Sequence, residues 1–249
     1  MWMWLHGFAG SPRSWDRVAA YATWGNPPLR PALAGHGFDW RATEIASFER
    51  EVSRLASMVS GLSRPRFVAG YSMGARVALG LLAARPALFD GAVLIGVHPG
   101  LTDEAARSER RALDRERAHR LRNQGLESFV SFWERQPLFE TQSLLPRELI
   151  EQQRAVRLGH DAEGLARALE VLGLAEMPDY GSALGEAGIP ITVMAGAHDT
   201  KFADIAHVLA SQHTNVRQSI VKEAGHNLLI EAPKAVAEEI ARTETEASR

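Results

Sequence analysis

The reading of the fold turns on "VAGYSMGAR", residues 68–76. Its centre has the pattern G-x-S-x-G, as Gly70-Tyr71-Ser72-Met73-Gly74. A short apolar run, "RFVAG" (residues 66–70), leads in, and an apolar helical pattern over residues 74–84 leads out. A tight turn from strand to helix presents a serine oxygen, and glycines on both sides let neighbouring backbones approach. Ser72 is therefore a candidate nucleophile or base. Arg76 poses a question, because it sets a permanent cation one helical turn beyond that serine.

On either side of the turn, β-type runs alternate with helical patterns. Strands are predicted at residues 2–5, 29–33, 66–70, 92–97, 191–195 and 216–221. Several are nearly continuous apolar runs, as strands covered on both faces should be. Residues 43–60 carry apolar positions Ile45, Phe48, Val52, Leu55 and Val59 at helical spacing, and residues 234–241 form a closing helix. The tail "ETEASR" is expected to fray. The alternation predicts an α/β fold, with a mostly parallel sheet of about six strands and helices on both faces.

Residues 99–180 break the alternation with helical patterns and no strand. The charged segment from Thr102 or Asp103 is expected to stop at Gly125, followed by shorter amphipathic helices. This divides the chain into a core, residues 1–98 and 181–249, and an inserted helical lid, residues 99–180.

A serine needs a histidine partner, which a carboxylate in turn orients. In this architecture the chain order is serine, acid, histidine. "AGAHDTKF" offers Asp199 just past the fifth predicted strand, and "EAGHN" offers His226 just past the sixth. Both lie beyond the carboxyl ends of strands, where open α/β sheets place their sites. The oxyanion hole is expected from the N–H groups of Met73 and of Phe8, in the loop "LHGFAGS" after the first strand. His6 is expected to brace that turn, and the loop "ALAGHG" (residues 32–37) is read as structural.

Composition limits the function classes. The 249 residues carry a net charge of −2, so no global basic field would draw nucleic acid or an anionic membrane. There is no cysteine, hence no disulfide framework and no thiolate metal site; this fits the cytoplasm. "MWMWLHGFAG" does not read as a signal peptide, and no apolar run approaches a membrane span. No metal spacing, phosphate loop or dinucleotide fingerprint is present, so no cofactor is expected.

With these residues in place, the chain resembles the α/β-hydrolase superfamily. It is more closely similar to one branch, the 2-succinyl-6-hydroxy-2,4-cyclohexadiene-1-carboxylate synthases of menaquinone biosynthesis. The shared stretches are "LHGFAGS…W", "GHG", "GYSMGAR", "HPGL" before an arginine-rich helix, "FWERQPLF", "QQRAVRL", "DTKF" and "AGHN…E.P". Departures are Ala34 for a usual proline, "GAR" where a second glycine is common, and "LLIE" after "AGHN". The chain also begins at the strand feeding the oxyanion loop, so a sheet without the superfamily's first two strands is expected. The resemblance implies elimination of pyruvate from a cyclohexene bearing three carboxylates, with Ser72 acting as a base. It implies substrate contacts from Tyr71, Arg76, Arg110, Trp133 and Arg157, and it gives Arg76 a carboxylate to bind. Plainer alternatives stand beside these: Arg110 on a solvated face, Trp133 in the lid core, Tyr71 shaping the turn. Two other functions stay open, a serine esterase or carbon–carbon bond hydrolase acting on a small anion, and a non-catalytic ligand receptor.

Overall fold

A computed structural model describes residues 1–21, 25–44 and 46–247. In chain order the elements are β1 (Trp2–Leu5), α1 (Asp16–Ala19), α2 (Phe48–Ser60), β2 (Phe67–Tyr71), α3 (Met73–Ala84), β3 (Gly91–Ile95), α4 (Glu104–Trp133), α5 (Arg147–Leu158) and α6 (Ala162–Leu172). Then come α7 (Ala183–Glu186), β4 (Ile191–Gly196), α8 (Thr200–Gln212), β5 (Val216–Val221), α9 (Leu228–Glu231) and α10 (Pro233–Ala247). The five strands form one parallel sheet in the order β1-β2-β3-β4-β5.

Alternate strand residues feed two cores, because successive side chains of a strand point to opposite faces. Met3, Leu5, Val68, Leu94 and Val193 pack with Phe48, Val52 and Leu55 of α2, with α3, and with Ala206 and Leu209 of α8. Trp2, Trp4, Phe67, Val93 and Met194 pack on the other face with Trp15, Val18 of α1, and Val236 and Ile240 of α10. A third apolar cluster joins Ala118, Leu121 and Phe129 of α4 to Leu165, Ala166 and Leu169 of α6, and Ala9 of the post-β1 loop enters it. The α4–α6 layer is thereby fixed over the carboxyl end of β1.

The second predicted strand, at residues 29–33, reduces to a single parallel bridge between Met3 and Leu29. Leu29 donates to the carbonyl of Trp2 and accepts from Trp4, both at 2.8 Å. The next donor in that register would come from Pro31, which has no N–H, so the ladder stops. Residue 29 and β2 flank β1 on opposite sides. The chain therefore reverses direction across the sheet at β1, and such switch points are where α/β sheets carry ligands.

Other elements differ from expectation at their ends. The helix predicted from residue 43 begins at Phe48, where Ser47 Oγ accepts the Arg50 N–H and caps it; Ile45 lies outside the described residues. Asp103 caps α4 by accepting from Ala106 N–H, but the helix does not end at Gly125. Gly125 takes φ 79° and ψ 167°, bending the axis, and helix resumes at once as far as Trp133. The tail expected to fray is helical to Ala247, held where the Trp2 indole donates to Glu244 at 2.5 Å and where Thr243 is buried. Residues 248–249 lie outside the description.

Candidate active site

Ser72 sits between β2 and α3 with φ 52° and ψ −108°, a conformation that costs a non-glycine residue about 1–3 kcal/mol. The surroundings hold it there. Its N–H donates to Ile95 O at 2.8 Å, and its carbonyl accepts the first helical bond from Arg76 N–H at 3.1 Å. The flanking glycines are required by contact: a Cβ on Gly70 would lie 2.4 Å from Gly74 O, and one on Gly74 would lie 2.3 Å from Leu5 O.

The three residues chosen for a triad meet in space. His226, in the loop after β5, has Nε2 3.0 Å from Ser72 Oγ and Nδ1 2.6 Å from Asp199 Oδ2. Asp199 stands at the end of β4, where the chain enters α8. The carboxylate accepts, so Nδ1 carries the proton and Nε2 is left free to take one from the hydroxyl. The rings of Phe202 and Tyr71 flank the imidazole at 4.8 and 5.4 Å between centroids.

The oxyanion loop follows β1. Among the described residues neither the Phe8 nor the Met73 N–H has a protein acceptor. The adjoining peptide is held by an imidazole: His36 Nε2 accepts Ala9 N–H at 3.1 Å, and Ala9 itself takes φ 53°. His6 Nε2 accepts Leu33 N–H at 3.1 Å, and its Nδ1 lies 2.8 Å from Gly7 O. Burial, first of all, lowers His6 to about 4 and His36 well below its ordinary value. Both rings are therefore neutral acceptors at neutral pH. His6 does brace the turn as expected, and the structural reading of "ALAGHG" understates His36.

The arginines fall into two groups. Arg76 is buried, with its guanidinium 2.7 Å from the Leu172 carbonyl at the end of α6. Burial, opposed only partly by Asp114 and reinforced by Arg110, draws it down to about 9, which leaves it charged at neutral pH. Arg110 donates to Asp114 at 2.8 Å, so it belongs to a paired cluster rather than a solvated face. Arg157 pairs with a different acid. It is buried, donates to Glu134 at 3.0 Å and stands 5.0 Å over the Phe139 ring. Trp133 packs between Phe8, Phe129 and Phe139, with Arg117 above it at 5.1 Å.

A cavity of about 530 Å³ adjoins the triad, walled by Phe8, His36, Tyr71, Phe139, Arg157 and Asn227. Ser72 and His226 do not line it; their chain neighbours Tyr71 and Asn227 do. Burial pushes the Tyr71 phenol up, so it stays a neutral hydrogen-bonding group. Two further groups stand near Arg76 and Arg110. His98, at the end of β3, is drawn down to about 4, by burial first and then by Lys201, Arg76 and Arg110. Lys201 itself is exposed, near the start of α8 in the "DTKF" stretch.

The chain belongs to the α/β-hydrolase family, whose model matches residues 3–239. Within that family it is 34% identical over 234 residues to the 2-succinyl-6-hydroxy-2,4-cyclohexadiene-1-carboxylate synthase of Enterobacter sp. (strain 638), covering 94% of this chain and 87% of that one. It is 33% identical to the synthase of the same name from Salmonella newport (strain SL254), covering 96% of this chain and 91% of the relative. Among solved structures, MenH from S. aureus superposes with a TM-score of 0.92 at 29% identity, covering 100% of this chain and 94% of that one. A thermophilic esterase from Thermogutta terrifontis shares the fold, with a TM-score of 0.80 at 22% identity and coverage of 99% and 89%. Among the described residues no helix is long and apolar enough to cross a membrane.

Proposed function

We propose that this chain is a 2-succinyl-6-hydroxy-2,4-cyclohexadiene-1-carboxylate synthase of menaquinone biosynthesis. It is a lyase that eliminates pyruvate from 2-succinyl-5-enolpyruvyl-6-hydroxy-3-cyclohexene-1-carboxylate. The observation that carries the reading is a Ser72–His226–Asp199 relay beside a cavity whose wall includes the buried Arg157, a cation that a neutral ester would not require. In the first step Ser72 Oγ takes the proton α to the succinyl ketone while its own proton passes to His226 Nε2. Asp199 steadies the resulting imidazolium. Charge develops on the ketone oxygen, which the N–H groups of Phe8 and Met73 receive. Collapse of the enolate through the ring expels the enolpyruvyl oxygen as pyruvate enolate, and the proton held on His226 goes to that enolate, giving pyruvate and restoring the neutral imidazole. Protons and electrons balance with side chains alone, so no cofactor is needed.

Arg76 and Arg110 on one side and Arg157 on the other are assigned to the substrate carboxylates, each exchanging a protein acceptor for a ligand one. Tyr71 and Trp133 shape the ring site between them. Residues 99–180 serve as the lid over a core of residues 1–98 and 181–249. The partner is a small polycarboxylate, with neither nucleic acid nor membrane involved. The cytoplasm is the proposed compartment, in keeping with a chain that has no cysteine.

The test runs enzymatically generated substrate beside a p-nitrophenyl ester. The synthase reading expects pyruvate from the first and trace hydrolysis of the second. Brisk ester hydrolysis, a mass adduct on Ser72 and no pyruvate would make it an esterase instead.

A further inference from the structure

Glu231 closes α9, in the stretch "LLIE". Its half-buried carboxylate reaches back along the chain. Oε2 accepts the Gly225 N–H at 2.6 Å and Oε1 accepts the Asn227 N–H at 3.0 Å. These two amides flank His226. The Asn227 carbonyl in turn accepts from Ile230 and Glu231 N–H, at 3.1 and 2.9 Å, so loop and helix close on each other. This matters because β5 ends at Val221, and no sheet ladder fixes the loop that carries the imidazole. The rings of Tyr71 and Phe202 flank His226.

We propose that Glu231 is a positioning residue for the relay: one carboxylate, bound to both amides flanking His226, sets the imidazole within 3.0 Å of Ser72 Oγ. Hydrogen bonds from backbone N–H to an ionised carboxylate are about twice as strong as neutral ones. Both oxygens act as acceptors, so shape alone cannot replace the group. Glutamine has the same size but one acceptor and one donor, and its NH2 would face an N–H. The same clamp holds Asn227, which lines the cavity and whose buried Oδ1 has no partner among the described residues. The inference rests on the relay and not on which substrate it serves.

The experiment measures how fast a fluorophosphonate labels Ser72 in the full chain. In that step an Oγ–P bond forms, fluoride leaves, and the serine proton passes to His226. Labelling is read by intact mass below the melting transition, with Tm recorded in parallel. Glu231→Gln is expected to label about tenfold more slowly or worse, since small misplacement of a catalytic group is costly. Glu231→Asp, too short to reach both amides, is expected to fall between Gln and wild type. Glu239→Gln is the control. It breaks a similar carboxylate clamp, on Arg217 and Ser219, away from the relay, and is expected to lower Tm without slowing labelling. A wild-type labelling rate in folded Glu231→Gln, whatever its Tm, would overturn the proposal. If Glu231→Gln fails to fold, the same rate in Glu231→Asp would do so. Labelling does not depend on the natural substrate, so a chain that releases no pyruvate can still pass or fail this test.

Discussion

Arg76 is held in two ways, by its place one turn after Ser72 and by the Leu172 carbonyl 96 residues further on. Removing it leaves that carbonyl unpaired and, in the proposed function, takes away a partner for a substrate carboxylate. Arg76→Ala is expected to raise KM for the tricarboxylate tenfold or more, and to cost about 1–3 kcal/mol of stability. Steady-state kinetics and urea unfolding measure both; an unchanged KM would remove Arg76 from the substrate site. His36 acts through the peptide next to the Phe8 N–H. His36→Ala is expected to lower kcat by about tenfold, short of the roughly 10²–10³ that follows loss of an oxyanion donor itself. Ser72, Asp199 and His226 were legible from the sequence because the chemistry fixes their spacing and chain order. The acceptor of Arg76, the imidazole under Ala9 and the carboxylate behind His226 were not. Each is a contact set by packing between distant segments, and no local pattern encodes it.

At the scale of elements, the turn into α3 depends on the close approach of three backbones. A Cβ on Gly74 would lie 2.3 Å from Leu5 O and 2.5 Å from His6 O. Gly74→Ala is therefore expected to destabilise by more than about 2 kcal/mol, because backbone on both sides must move. Gly125→Ala meets no neighbour within 4 Å but keeps φ 79° and ψ 167°, and should cost less than Gly74→Ala, about 1–2 kcal/mol, from backbone strain alone. Chemical denaturation of the two variants side by side checks the ordering. The buried strands were readable as apolar runs, since both faces are covered. The segment at residues 29–33 carries the same apolar signal, but Pro31 ends its ladder after one bridge. The bend in α4 was missed because Gly125 marks a break without saying that helix resumes beyond it.

At the scale of the whole molecule, the alternation of strand and helix was enough to predict a parallel sheet between helical layers. It could not give the placement of α4–α6 over the end of β1, which depends on Ala9 entering their apolar cluster. Stability should report the buried imidazoles. His6 lies at about 4 in the fold against about 6.5 when unfolded, so between these values the unfolded chain binds more protons. Its contribution is full above pH 6.5 and is lost as pH falls towards 4. About 2 kcal/mol should be gone at pH 5 relative to pH 7.5 from His6 alone, with His36 acting in the same direction. Urea midpoints at the two pH values test this, and equal midpoints would mean that these rings are not buried as neutral acceptors.

The proposed function stands on Ser72 working as a base on a tricarboxylate. Its most direct test is the rate of pyruvate release from 2-succinyl-5-enolpyruvyl-6-hydroxy-3-cyclohexene-1-carboxylate by wild type and by Ser72→Ala at matched substrate. Wild type is expected to release pyruvate, and Ser72→Ala to do so about 10²–10⁴-fold more slowly with little change in KM. Equal rates in the two proteins, or no pyruvate from either, would contradict it.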